Sequence, residues 1–584
     1  FAESFRQTIG MVVFIFVVLI LLFRLYQGLW RFFTFRDCVV TAAVLALGTA
    51  LVMAMVFLRT GGGFLHYPRS VPMIFFLLFL GWEIGGRGIV RLFREWRIAG
   101  IQGRRVGARK KIILVGDTAE SDQVIRALER QAGDTEKVVA VFANVKAHIG
   151  SKIHGIPIYG DQSQIGAAVT DLGADSIVIL PPFTAPRSIN RIVESVTSEK
   201  VNCEFRVIPS YNDIASGRID VGRIRRVEIS DLLERNPYEV DYEHLQSFVK
   251  GKRVLVTGAG GSIGSEICRQ VIRLQPEALL LFEISEFLLF EIERELLSLG
   301  TGVKLLACAG DVRNRDQIKR AMDLVDTVEV VFHAAAYKHV DLMERNPEVC
   351  FLNNVIGTVT MAEMAEKNGV EDFVLISSDK AVRPTSLMGA SKRMAERCIM
   401  ERPDSKTRFK AVRFGNVLGS SGSVVPIFTE QIARGGPVTV TSKEVTRYFM
   451  TIPEAVELVI VAGSQPVDRR VFVLEMGEAV KIDAMARRMI ELSGFVPEVD
   501  IAIVYTGLKK GEKEYEELLT DDEDVVATDL DRIWVVKKNV NGTSAKIDLG
   551  YLLELIDEGD EAALREYAHS LIPGSRLLPD VVRC

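Results

Sequence analysis

The chain has seven cysteines, at positions 38, 203, 268, 308, 350, 398 and 584, and no two form a C-x-x-C pair. Scattered and odd in number, they exclude a disulfide framework and a zinc ribbon, and no metal site is expected. An excess of one charge is missing too. Against 76 acidic residues stand 71 basic ones, a net charge of −5, which gives no whole-chain electrostatic footprint for nucleic acid. With 48% hydrophobic and 25% charged residues the composition excludes a disordered chain or a collagen-like fibre. Its 584 residues have room for roughly three to four domains.

Long apolar runs are confined to the first hundred residues. Gln7 to Phe23 and Cys38 to Leu58 are uncharged, and a shorter run, Ser70 to Trp82, continues into Glu83-Ile84-Gly85-Gly86. The middle run covers roughly 30 Å as a helix, the thickness of a hydrocarbon core. Three transmembrane helices are therefore expected within residues 1–98, the third being short enough to suit an interfacial or re-entrant helix instead. Arg24, Arg31 and Arg36 follow the first run, Arg59 and Arg69 separate the second from the third, and a basic cluster runs from Arg87 to Lys111. The positive-inside rule puts that cluster in the cytoplasm. Three spans would then leave Phe1 outside. As the chain opens on Phe, a preceding span is expected, with a cleaved signal peptide as the alternative.

Beyond Lys111, short β-branched runs alternate with segments of helical period, which predicts parallel sheets covered by helices on both faces. A first Rossmann-like domain is expected over residues 99–218, with strands at Ile112–Val115, Val138–Phe142, Ser176–Leu180 and Cys203–Ile208. Its first turn, Gly116-Asp117-Thr118-Ala119-Glu120-Ser121, has one glycine and so lacks a pyrophosphate fingerprint, which suggests a structural or regulatory role. Residues 219–250, rich in charge and without a strand run, read as a linker.

A second doubly wound domain, expected over 251–540 with a helical tail at 541–584, opens on a strand that runs into Gly258-Ala259-Gly260-Gly261-Ser262-Ile263-Gly264. Gly258 permits the tight turn, Gly261 lets the main chain approach phosphates, and Gly264 lets the helix pack on the strand. The helix N-terminus at Ser262 and Ile263 supplies N–H groups to the pyrophosphate. A second strand, Ala278 to Phe282, ends at Glu283, whose carboxylate can accept from both ribose hydroxyls and would repel a 2′-phosphate. NAD is the expected cofactor.

Further along stand Gly310-Asp311-Val312-Arg313, His333-Ala334-Ala335-Ala336-Tyr337-Lys338, Ser377-Ser378-Asp379-Lys380, Met388-Gly389-Ala390-Ser391-Lys392, Arg413-Phe414-Gly415-Asn416 and Gly511-Glu512-Lys513. In this order the motifs resemble the membrane-bound polysaccharide-biosynthesis branch of the extended short-chain dehydrogenase/reductases, the nucleotide-sugar 4,6-dehydratases of the PglF/WbpM/CapD type. The resemblance implies that Asp311 and Val312 contact adenine and that Ala334, Ala335 and Lys338 line the cofactor phosphates and nicotinamide. It makes Lys392 the lysine of the family's Tyr-x-x-x-Lys, with Met388 in the tyrosine's place. Met388, Asn416, Arg447 and Glu512 are its substrate contacts.

Removing water across C5 and C6 of a hexose needs a C4 ketone first, then a base at C5 and an acid at the C6 hydroxyl. The resemblance assigns these roles to Lys380 as base and Asp379 as acid. Such roles require a lowered lysine pKa and a raised aspartate pKa, which a mutual salt bridge opposes. Ser378 either bonds the sugar O4 or satisfies local backbone, and His333 and His339 serve packing or support.

The implied protein is a lyase that turns UDP-N-acetylglucosamine into its 4-keto-6-deoxy derivative for surface glycans. Its expected location is the cell inner membrane, multi-pass, with the catalytic domain in the cytoplasm and a homo-oligomeric assembly. The lipid bilayer and the UDP-sugar are its partners. Rival readings are a C5-inverting dehydratase, a C4 epimerase, and a non-catalytic membrane scaffold that binds NAD.

Overall fold

The computed structural model describes residues 2–23, 35–59, 73–82, 109–131, 135–144, 148–160, 162–199, 201–208, 224–232, 242–403, 405–520, 523, 525–528, 530, 532–536 and 545–577. Two compact units divide the chain, Phe1–Arg109 and Lys110–Cys584.

Helices Ala2–Leu22, Phe35–Arg59 and Met73–Trp82 make up the described part of the first unit. A Cβ at Gly48 would lie 2.7 Å from the Phe16 ring, so the missing side chain lets the first two helices close together. Phe16 also meets Phe75 and Phe79, each at 5.4 Å between ring centroids. By length and composition one helix, Val39–Leu58, can cross a membrane, while Val12–Leu22 and Met73–Trp82 are shorter apolar helices. Of the three spans expected, the structure thus supplies one of full length. The stretch Val12–Leu22 rises only about 16 Å, and the ten residues of the third helix about 15 Å. The loops whose arginines set the expected orientation, 24–34 and 83–108, lie outside the described residues, as do 70–72.

In the second unit, a seven-stranded sheet follows the order Lys152–Ile153, Ile156–Tyr159, Glu136–Phe142, Lys110–Val115, Ser176–Ile179, Glu204–Val207, Arg225–Arg226. Its central strands are parallel and fully buried at Ile112 to Val115 and Ser176 to Ile179. The space beside Gly116 is filled by Leu180, whose Cβ would stand 2.7 Å from an added Cβ. The expected linker carries regular elements: Arg225–Arg226 forms an antiparallel edge strand on Glu204–Val207, and helix Tyr242–Val249 buries Leu245, Phe248 and Val249 in the next core.

Seven parallel strands follow in a second sheet: Arg253–Thr257, Ala278–Glu283, Lys304–Ala309, Val330–His333, Asp372–Ile376, Arg408–Arg413 and Arg470–Leu474. Numbered along the chain, their spatial order is 3-2-1-4-5-6-7, and antiparallel Ile533–Val536 and Val525–Ala527 extend the far edge. Apolar clusters cover both faces, which is why these strands read as continuous runs of Val, Leu, Ile and Phe. The order reverses between Arg253–Thr257 and Val330–His333, and the crevice at their carboxyl ends is where a ligand binds in such a sheet. Helices Leu549–Glu558 and Glu561–Leu571 are no loose tail: Leu552, Leu555, Leu564 and Leu571 pack with Leu387, Ala390 and Met394. They brace the helix Leu387–Met400, which carries Met388 and Lys392. Between the two sheets' domains, Leu492 joins the first core and Arg488 pairs with Glu194 at 2.9 Å.

Candidate active site

At the crevice the chain turns through Gly258 with φ +65° and enters helix Ser262–Arg273, whose N-cap is Gly261. A Cβ on Gly258 would lie 2.8 Å from the backbone of Ala335, and one on Gly264 would lie 2.0 Å from the Gly258 carbonyl. The two glycines hold strand, loop and helix closer than any side chain permits, leaving the helix N-terminus facing the crevice. Glu283 is 6% exposed at the end of its strand; its Oε2 accepts from the Gly260 N–H and its Oε1 from the Ser285 N–H, each at 3.0 Å. The carboxylate is thereby tied to the glycine loop itself. These residues fit a dinucleotide with a free ribose diol.

Asp311 and Val312 follow the third strand. Arg313 grips both Asp311 oxygens, through Nε at 2.9 and 2.8 Å and Nη2 at 2.5 Å. Burial pushes the Asp311 carboxyl up, but the Arg313 bonds outweigh it and hold it below its ordinary range. Ala334 and Ala335 lie against the glycine loop, with the Ala334 N–H donating to the Thr257 carbonyl at 3.2 Å; Lys338 is exposed further along. His333 is buried between two hydroxyls, Thr257 Oγ1 at 2.8 Å and Thr358 Oγ1 at 3.0 Å. Burial, helped by the Lys392 charge, pushes its pKa down to about 3, so it is a neutral packing group.

A second set of groups gathers after strand Asp372–Ile376. Ser378 Oγ donates to Asp379 Oδ1 at 2.8 Å, and Lys380 Nζ donates to Asp379 Oδ1 at 3.1 Å and to Asn416 Oδ1 at 3.0 Å. Glu516 Oε1 stands 3.4 Å from the same nitrogen. Ser378 and Lys380 are partly exposed, whereas Asp379 and Glu516 are buried, with Asp379 Oδ2 and Glu516 Oε2 lacking a hydrogen-bond partner. Burial pulls the Lys380 pKa down, but Asp379 and then Glu516 outweigh it, so the net shift is upward. This corrects the expectation of a lowered lysine pKa: the free site holds an ammonium. The reason is a second carboxylate, far along the chain, that local sequence does not show.

Helix Leu387–Met400 supplies the third group. Lys392 Nζ donates to the Ile376 carbonyl at 3.0 Å, and burial pulls its pKa down to about 8 against the opposing pull of Glu396 and Cys350. Met388, 2% exposed, packs with Met343 and Cys350. Nearby, a π-helical turn over Leu352–Gly357 carries Asn354, which donates to Ser391 Oγ at 2.9 Å and to the Tyr337 carbonyl at 3.1 Å. Sequence reasoning missed Asn354 and Glu516; a polar pair, Asn353-Asn354, inside an apolar helix was the available signal for the first.

Arg447 is buried. Its guanidinium donates to Glu512 Oε1 at 3.1 Å and to the carbonyls of Thr446, Lys513 and Glu514, and its Nε lies 3.6 Å from Glu516 Oε1. The structure therefore joins Arg447 with Glu512, and Asn416 with Lys380. Among the described residues no group of His, Cys, Asp and Glu could hold a metal ion.

Residues 254–538 match the model of a family described as polysaccharide biosynthesis protein, and residues 11–209 match one described as CoA-binding domain. The chain is 39% identical over 510 residues to the probable polysaccharide biosynthesis protein EpsC of Bacillus subtilis, covering 86% of this chain and 82% of that one. It is 37% identical over 505 residues to the capsular polysaccharide biosynthesis protein CapD of Staphylococcus aureus, with the same coverage. A UDP-glucose 4-epimerase of Rickettsia canadensis is 32% identical over 287 residues, covering 48% of this chain and 81% of that one. A glycine-rich turn at the crevice, a helix lysine bonded to the end of strand Asp372–Ile376, and 39% and 37% identity to EpsC and CapD over 86% of the chain agree, and the chain belongs to this polysaccharide biosynthesis protein family.

Proposed function

We propose that the protein is an NAD-dependent nucleotide-sugar 4,6-dehydratase whose substrate is UDP-N-acetylglucosamine. The observation that carries this reading is the Ser378–Asp379–Lys380 cluster at the end of strand Asp372–Ile376, beside Lys392 and with Met388 where a tyrosine would sit. A C4 epimerase needs one proton acceptor at O4. A site with two acid–base pairs is built for elimination as well.

Bound NAD supplies reversible hydride acceptance, from C4 and back to C6. Gly258, Gly261, Gly264 and the helix N-terminus at Ser262 and Ile263 hold its pyrophosphate, and Glu283 holds the adenosine ribose and selects against a 2′-phosphate. Asp311 and Val312 flank the adenine, while Ala334, Ala335 and Lys338 border the phosphates. Lys392, cationic below about pH 8, orients the nicotinamide ribose. Asn416, Arg447 and Glu512 border the sugar-nucleotide. Ser378 Oγ takes the C4 hydroxyl proton and passes it to Asp379 along the 2.8 Å bond, and Asp379 returns it to the leaving C6 hydroxyl. Lys380 faces C5. Because a thioether carries no ionisable proton, Met388 shapes the pocket and takes no part in proton transfer.

The helix Val39–Leu58 anchors this activity to the inner membrane with the catalytic domain in the cytoplasm. Purified full-length protein, supplied in turn with UDP-N-acetylglucosamine, UDP-glucose and UDP-N-acetylgalactosamine, tests the reading by mass spectrometry. Loss of one water from UDP-N-acetylglucosamine is expected. Isomer formation without mass change would establish the epimerase instead.

A further inference from the structure

The three groups around Lys380 Nζ define what that nitrogen can do. It donates to Asp379 Oδ1 and Asn416 Oδ1 and stands at ion-pair distance from Glu516 Oε1. An ammonium has three donors and no lone pair, so in this arrangement it can take no proton from a sugar. A neutral amine keeps two donors, enough for Asp379 and Asn416, and frees its lone pair once Glu516 holds the third proton.

Ser378 and Lys380 meet solvent, and each is backed by a buried carboxylate, Asp379 behind Ser378 and Glu516 behind Lys380. The loop that carries Glu516 is clamped at several points. Arg447 binds the carbonyls of Lys513 and Glu514, Lys513 Nζ donates to the Val382 carbonyl at 2.7 Å, and Thr385 Oγ1 donates to the Gly511 carbonyl at 2.9 Å. Glu516 Oε2 is buried without a hydrogen-bond partner, so the carboxylate beside Lys380 keeps an open acceptor.

We propose that Glu516 is a positioning residue that stores the Lys380 proton and so converts Lys380 into the C5 base. The proposal rests on the dehydratase reading and deepens it. When the sugar excludes water, one Lys380 N–H bond breaks and a Glu516 O–H bond forms, turning an ion pair into a neutral pair. Once C4 is a ketone, the C5–H bond breaks and its proton goes to the Lys380 lone pair while the C6–O bond breaks and the leaving hydroxyl takes the proton held by Asp379. As C6 is reduced, Lys380 gives a proton to C5 and recovers one from Glu516. Charge and protons balance over the cycle.

The charged groups facing the lysine are Asp379 on its own turn, Glu516 on the loop, and Arg447 on the strand Thr446–Arg447; Glu516 in turn faces Lys380 and Arg447. The test is the rate of C5 exchange into deuterated water, measured by NMR on full-length protein with UDP-N-acetylglucosamine across pH. Wild type should exchange at neutral pH. Glu516→Gln should be slower by at least about a hundredfold there, the usual span of a lost acid–base group, and should recover as pH rises and solvent takes the lysine proton instead. Glu516→Asp should retain exchange at neutral pH at an intermediate rate. Exchange by Glu516→Gln as fast as wild type, or equally depressed at every pH while NAD and the sugar still bind, overturns the proposal. If Glu516→Gln does not fold, Glu516→Asp decides: a rate equal to wild type, or a pH-independent loss, overturns it. Wild type that neither exchanges C5 nor loses water overturns the dehydratase reading itself.

Discussion

His333 offers a direct test of the buried electrostatics around the cofactor crevice. In the unfolded chain its pKa is 6.5, and in the folded protein burial and Lys392 bring it to about 3. The unfolded state therefore binds more protons between those values, and the folded state loses stability as pH falls through that window. At pH 5.5 the unfolded imidazole is about nine-tenths protonated and the folded one neutral, a cost of about 1.3 kcal/mol relative to pH 7. The lowered carboxylate Glu396 adds nothing there, because its folded pKa of about 2 and unfolded 4.5 both lie below that pH. Partly exposed His339 is shifted the same way by burial and Lys338 and adds to the slope, so the variant is needed to isolate His333. Urea unfolding of full-length wild type and His333→Gln at pH 7 and 5.5 gives the comparison. The variant should lose about 1.3 kcal/mol of the wild-type pH dependence over this interval. An identical pH dependence in both proteins would refute the reasoning.

Gly264→Ala should weaken NAD binding at least about tenfold, since its Cβ would lie 2.0 Å from the Gly258 carbonyl and the helix must move away from the phosphates; calorimetry with NAD checks this. Glu396 accepts from Arg413 Nε and Nη2, each at 2.8 Å, in a fully buried site, so Glu396→Gln should cost about 3 kcal/mol by urea unfolding, the scale for a buried ion left with too little countercharge. Met388→Leu should keep most turnover because volume is preserved, whereas Asp379→Asn should lose at least about a hundredfold; equal severe losses in folded, NAD-binding variants would give residue 388 a chemical role.

Local requirements explain what was legible in the sequence. The Gly258–Gly264 turn and Glu283 could be placed because backbone approach to a phosphate demands glycine at set positions, whatever the rest of the fold does. Buried parallel strands such as Ala278–Glu283 announce themselves as apolar runs. What escaped is decided by tertiary contact. Arg225–Arg226 is a strand only because Glu204–Val207 offers it an edge, and two arginines carry no strand signal. Arg447 looks like a solvated cation until the loop after Gly511 wraps it. Glu516 reaches Lys380 across a long stretch of chain, so the lysine's raised pKa could not be foreseen from the adjacent Asp379 alone.

The central claim is that hydride moves within one sugar, from C4 to C6, as water leaves. UDP-N-acetylglucosamine carrying deuterium at C4, incubated with the full-length protein and examined by NMR, tests it most directly. The account predicts a 4-keto-6-deoxy product with the label in its C6 methyl group and no accumulation of reduced nicotinamide. Label found again on C4 of an intact or epimerised sugar, with no water lost, would contradict it.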